Sequence, residues 1–155
     1  MGKWREWTEK RAEFEAKLKT EFPLLYEGLG VHWRDGGMLN GITVGPGWWD
    51  IIYELSKKLE TLMVENSGFR IKVVQIKEKF SNMRYYIDSP NYEDNFDAWQ
   101  KDPANKAVLL IGEAEKETMT TCEYCGAKGA TISDYHPWLK TLCAKCHEER
   151  KGSGC

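Results

Sequence analysis

Residues 48–64, WWDIIYELSKKLETLMV, and the stretch after them, residues 69–87, FRIKVVQIKEKFSNMRYYI, decide the fold class. In the first, Trp48, Ile51, Ile52, Leu55, Leu59 and Leu62 recur at helical spacing, which predicts a core helix with one apolar face. In the second the pattern turns to alternation: Ile71 and Val73, then Val74 and Ile76, as in a half-buried strand. The change of parity between Val73 and Val74 predicts a bulge, or a strand buried on both faces at its middle. Ser81-Asn82 reads as a two-residue turn, because asparagine tolerates left-handed backbone, and Met83 to Ile87 return as a second strand. A helix followed by a hairpin gives an α+β class, with helices packed on a small, mainly antiparallel sheet.

Upstream, the Gly45-Pro46-Gly47 turn ends a glycine-rich stretch from Gly28 to Gly47, read as loop or short strand. It contains neither G-x-x-x-x-G-K-[ST] nor G-x-G-x-x-G in a strand-turn-helix setting, so it is not read as a phosphate loop of those kinds. Residues 3–20 predict a helix ended by Pro23, with Trp4, Trp7, Phe14 and Leu18 near one stripe. That helix is either an amphipathic packing element or an interaction arm with exposed tryptophans. Downstream, an acidic segment carries Glu93, Asp94, Asp97 and Asp102 and ends at Pro103. It reads as a short helix or a loop insertion, with carboxylates that either bind a cation, mimic phosphate or merely face solvent. Ala107 to Thr120 predict a third helix, with Val108, Ile111, Ala114 and Met119 near its apolar face. The expected organisation is an N-terminal helix and linker at 1–26, an α/β body at 27–120 with the acidic insertion at 91–103, a metal module at 121–150 and a flexible tail at 151–155.

The metal module is expected from Cys122, Cys125, Cys143 and Cys146, spaced C-x2-C-x17-C-x2-C. Two residues between paired cysteines let a tight turn bring both sulfurs to one tetrahedral ion, and the longer spacer suits a hairpin that returns to it. Gly126 after the second ligand permits the positive φ of a zinc-knuckle turn. Four thiolates favour one closed, structural zinc, in a zinc-ribbon or treble-clef-like knuckle, over a catalytic ion that keeps a position for water. His147 is the alternative fourth ligand, and Cys155 in the Gly-Ser-Gly tail reads as a mobile thiol. Met1 opens directly into a charged segment and no apolar run is long enough for a bilayer, so the expectation is a cytoplasmic protein in which thiols stay reduced and no membrane is bound. The 22 basic and 24 acidic side chains, net −2, argue against a surface built entirely for nucleic acid and leave room for a local basic patch.

Two resemblances follow from these motifs. Leu142-Cys143-Ala144-Lys145-Cys146-His147, downstream of the first cysteine pair with Asp134-Tyr135-His136-Pro137 between, resembles the zinc-bound ββα-metal nucleases of the HNH family. That resemblance implies a degenerate metal-dependent nuclease using His136 and Asp134. It departs from the family in that Tyr135 separates Asp from His and six residues lie between His136 and Cys143. The second covers roughly residues 45–147 and is carried by Gly47-Trp48-Trp49-Asp50-Ile51-Ile52, by Val73 to Phe80 with Met83-Arg84-Tyr85-Tyr86, by Cys122-x2-Cys125-Gly126 and by Trp138 to Cys143. These resemble a group of small phage and prophage proteins that pair a compact α/β body with a C-terminal zinc knuckle. The resemblance implies an architecture and a source more than an activity.

Together these readings predict a non-catalytic, zinc-stabilised phage accessory protein that binds a host or defence-system macromolecule, a protein first of all, in the bacterial cytoplasm. The expected binding surface comprises Lys72, Lys77, Lys79, Arg84, Tyr85 and Tyr86 on the hairpin, with Trp4 and Trp7 on the first helix. The nuclease is the first alternative. A nucleic-acid or nucleotide-ligand binding protein, using the same hairpin cations and tyrosines, is the second. Oligomeric state is left open.

Overall fold

The computed structural model of the chain describes residues 2–35, 37–89, 102–133 and 139–152, and their side chains apart from those of 2–6, 33, 102 and 150–152. Helix α1 (Gly2–Glu21) leads into a run of turns, and Leu18, Phe22, Leu25 and Tyr26 carry it into the core. Phe14 of α1 stacks on Trp49 with ring centroids 5.0 Å apart. The short strand β1 (Ile42–Thr43) and a single 3-10 turn (Pro46–Trp48) then deliver the chain to α2 (Trp49–Glu65). The apolar stripe read from the sequence is the buried face of α2, widened by Ser56 and Met63.

Strands β2 (Lys72–Lys79) and β3 (Asn82–Asp88) form the antiparallel hairpin, and β1 adds to β2 in parallel, giving the order β1-β2-β3. The predicted parity change is a bulge between Val73 and Gln75. The turn differs from the reading by one residue. Lys79 pairs with Asn82, so the loop is Phe80-Ser81, and both residues take positive φ, 52° and 67°. Either turn leaves Ile76, Met83 and Tyr85 on the core face; the observed one also places Ser81 where its carbonyl accepts the Thr141 hydroxyl and its amide donates to Glu78 Oε1.

Helix α3 (Asp102–Thr118) begins earlier than predicted, with Pro103 in its first turn, where a missing N–H costs nothing. Its buried face is Ala104, Ala107, Ile111, Ala114 and Thr118. Val108 and Met119, expected on that face, are 57% and 48% exposed. Small residues dominate the face, which allows α3 to lie close against α2. Its last turns also close the outer edge of β3: the Met83 amide donates to Thr118 Oγ1 at 3.2 Å and the Tyr85 amide to Glu115 Oε2 at 3.0 Å. The edge therefore offers no free ladder there. The acidic segment falls outside the described residues up to position 101, as does the tail with Cys155.

A second, two-stranded sheet of β4 (Thr131–Ser133) and β5 (Lys140–Leu142), followed by α4 (Ala144–Gly152), completes the α+β fold. Among the described residues no helix is long and apolar enough to cross a membrane.

One polar cluster lies inside the main core. Tyr26 Oη meets Ser56 Oγ at 2.6 Å and Tyr85 Oη at 3.0 Å, and the Ser56 hydroxyl donates to the Ile52 carbonyl at 2.6 Å. Tyr85 is thus buried and is removed from the expected binding surface, because its place on the inward face of β3 points it at Tyr26. Burial raises the Tyr26 phenol to about 12 against the bonds from Ser56 and Tyr85, and burial, then the charge of Tyr26, raises Tyr85 well above its ordinary value of 10.0. A raised phenol contributes stability that is complete below the unfolded value of 10.0 and is lost as pH climbs through the folded one. Tyr85→Phe, which keeps the ring and removes one of the two phenols, is expected to flatten the fall in melting temperature between pH 10 and about 12, measured by circular dichroism.

Candidate metal centre

Three local structures bring the cysteines together. The first is the turn after Thr121, in which the Gly126 amide donates to the Cys122 carbonyl and the Cys122 amide to the Ala127 carbonyl, both at 2.9 Å. Gly126 sits at φ +80°, the left-handed region its missing Cβ permits. The second is the β4-β5 hairpin, whose pairing of Thr131 with Leu142 returns the chain to the first pair and sets down Cys143. The third is the first turn of α4, which carries Cys146 on the same side as Cys143. Knuckle, hairpin and helix start, in that order, make a treble-clef-like arrangement.

All four sulfurs lie within 4.8 Å of one another, and Cys125 Sγ is 3.6 Å from Cys143 Sγ. A tetrahedral ion with Zn–S bonds of about 2.3 Å needs sulfurs about 3.8 Å apart, so the spacing fits one. The Cys146 amide points at Cys143 Sγ at 3.5 Å, the backbone-to-sulfur contact that steadies a thiolate. That amide, working against burial, lowers the Cys143 thiol to about 7, whereas burial followed by the neighbouring thiols raises Cys146. A metal must displace the protons of all four, so its binding weakens as pH falls. Ala130 and Leu142 form the small apolar core around Cys122 and Cys146, and Cys125 is the exposed corner.

His147, the alternative ligand, is placed elsewhere. Its Nδ1 meets Ser133 Oγ at 2.7 Å and its amide donates to the Cys143 carbonyl, so it ties α4 to β4 and leaves the metal group to the four thiols. Asp134 and His136, the residues of the nuclease reading, lie outside the described residues.

The docking of this module on the body involves residues the sequence reading did not assign. Glu123, 2% exposed, accepts the Gly45 amide at 3.2 Å and is paired with Lys140 Nζ at 3.1 Å, while its own carbonyl takes the Gly47 amide at 2.7 Å. The fully buried Trp48 donates its indole N–H to the Thr121 carbonyl at 2.7 Å. On the other side, the Thr141 hydroxyl donates to the Ser81 carbonyl of the hairpin turn at 2.7 Å. The Gly-Pro-Gly-Trp string is therefore a docking edge for the knuckle. The motif was visible in the sequence, but its partner, more than seventy positions away, was not.

The remaining surface residues divide. Gln75, Lys77 and Lys79 of β2 and Tyr86, Arg84 and Asn82 of β3 share the solvent face of the sheet, and Lys72 lies at its far end opposite Asp88. Trp7 is half-buried with its ring edge-on to Tyr124 of the knuckle, centroids 5.5 Å apart, and so belongs to the packing of α1 rather than to a free arm. The Trp4 side chain lies outside those described. No protein-family model, curated protein or solved structure matches the chain, and the likeness to small phage proteins or to HNH modules rests on the motifs alone.

Proposed function

We propose that the chain is a zinc-stabilised binding protein in which the ion is structural and the work is done by the surface it helps to hold. The observation that carries this reading is the group of four thiols, all from the protein and at tetrahedral spacing. Four protein ligands close the coordination sphere, whereas a catalytic zinc keeps one position for water. Thiolates are soft donors that suit zinc over magnesium or calcium. In this reading the ion fixes the β4-β5 hairpin and α4, and through Glu123, Thr121 and Thr141 it steadies the start of α2 and the tip of the β2-β3 hairpin. The motif resemblance to small phage and prophage proteins supports a partner macromolecule of the host or its defences, met in the bacterial cytoplasm.

Native mass spectrometry of the purified full chain is expected to find one zinc per chain, released by a chelator with loss of melting cooperativity. A protein that purifies without metal, and whose melting is unchanged when zinc is supplied, overturns the reading.

A further inference from the structure

The hairpin turn carries an unexplained cost. A two-residue loop with positive φ at both positions is the conformation for which Asn-Gly or Gly-Gly is preferred, and here it is occupied by Phe80 and Ser81. A bulky side chain in the left-handed region is strained, and such strain persists where the surrounding structure enforces it. The enforcement is visible. Ser81 is buried, its amide donates to Glu78 Oε1 at 3.3 Å and its carbonyl accepts the Thr141 hydroxyl. Phe80 gains nothing comparable, for the residue is 73% exposed, with Lys79 Nζ 5.8 Å from its ring centroid. Glycine would serve the turn better, so the phenylalanine is not there for the fold.

The sheet face beside it carries a second cost. Lys77 and Arg84 stand directly opposite one another across β2 and β3, and like charges in that relation repel. Among the described residues Lys77, Lys79 and Arg84 have no ion-pair partner, and Glu78, the acid between the two lysines, faces the other way with its carboxylate on the Ser81 amide. Tyr86, one pair along from Arg84 on the same face, is exposed. The result is a sheet face that carries Tyr86 and three cations with no ion-pair partner among the described residues, with the exposed Phe80 at the tip of the hairpin, on a chain of net charge −2.

The geometry points to single-stranded nucleic acid as the ligand of this face, with bases stacked on Phe80 and Tyr86 and phosphates held by Lys77, Lys79 and Arg84. The cations match a polyanion, and exposed rings on an open sheet suit splayed bases, which a duplex does not present. The inference rests on the reading of the chain as a zinc-stabilised binding protein, since Thr141 of the metal module holds the turn that presents Phe80.

The test uses zinc-loaded full chain, its metal content checked in the same sample, and fluorescence anisotropy with labelled single-stranded DNA and RNA of about 12 nucleotides, the same sequences as duplexes, and poly-glutamate of equal length. Single strands are expected to bind, with affinity falling steeply as salt rises from about 50 to about 200 mM. Lys77→Ala with Arg84→Ala is expected to weaken binding roughly tenfold and to reduce the salt slope by about 1.4. Phe80→Gly is expected to raise the melting temperature while weakening binding roughly tenfold, two changes of opposite sign that a merely structural role would not produce. Lys106→Ala, on the exposed side of α3, is expected to change neither. Zinc-loaded protein that binds no single strand overturns the inference and leaves the zinc reading intact. Poly-glutamate bound as tightly, with Phe80→Gly silent, overturns it in favour of an acidic protein partner.

Discussion

Cys122→Ala is expected to lose the ion, unfold the chain from Thr121 through α4, and lower the stability of the body as well. The segment is too small to stand on its own, because units below about 40 residues usually need a metal, a disulfide or a partner. Its apolar core is Ala130 and Leu142 with two of the cysteines themselves. Against this, apparent zinc binding by such sites is worth about 10–16 kcal/mol near neutral pH, so a zinc ion held by the four thiols would outweigh every other interaction in the module. The body is affected through its shared bonds. Without an ordered knuckle, Trp48 loses the Thr121 carbonyl and part of its cover, Gly45 and Gly47 lose Glu123, and the Ser81 carbonyl loses Thr141. At about 1 kcal/mol for each hydrogen bond, plus the exposure of one tryptophan, the body should weaken by roughly 4–6 kcal/mol. Native mass spectrometry for the metal, with amide hydrogen exchange for the two regions, separates these effects. Retention of one zinc, or a body whose exchange is unaffected, contradicts the coupling.

Gly47→Ala carries the second largest expected effect. A Cβ on Gly47 would come within 2.0 Å of the Cys122 carbonyl oxygen and 2.6 Å of the Gly126 amide nitrogen. Both are backbone atoms of the metal-holding turn, so no side chain can rotate away, and the turn and the start of α2 must move apart. The expected cost is about 3–4 kcal/mol, in the range of severe overpacking, or a fall in melting temperature of about 10 °C. Zinc affinity should fall with it, because the strain lands on the loop that carries Cys122 and Cys125. Gly112→Ala is the counterpart on α3. Nothing lies within 4 Å of its new methyl, and removing a glycine from a helix interior should raise stability by about 0.5–1 kcal/mol. Thermal melts and a zinc competition assay on the two variants settle the matter: equal shifts would mean that the contact between Gly47 and the knuckle does not govern stability.

Much of the fold was legible because its signals are local. The stripe from Trp48 to Leu62 is a property of adjacent turns of one helix, the alternation around Val73 and Ile76 belongs to one strand, and the cysteine spacing reflects two tight turns. The errors arose where a non-local contact outweighed a local preference. Asn82 looked like a turn residue, yet the loop falls on Phe80-Ser81, where Thr141, sixty positions away, holds the Ser81 carbonyl. Val108 and Met119 looked like core, yet the close approach of α3 to α2 selected its alanines. Tyr85 looked like surface because alternation does not reveal which face is covered, and the hydroxyl of Tyr26 awaited it inside.

The α+β class, the core helix, the hairpin and the four candidate ligands therefore follow from the order of residues alone, since each depends on spacings of a few positions. Only the tertiary structure could show that Gly45, Gly47 and Trp48 dock on the metal module through Glu123 and Thr121, that His147 turns to Ser133, and that Lys77, Lys79 and Arg84 share one face of the hairpin with Tyr86. The reason is distance along the chain: contacts between segments remote in sequence leave no periodic trace and are chosen by packing once the local elements exist.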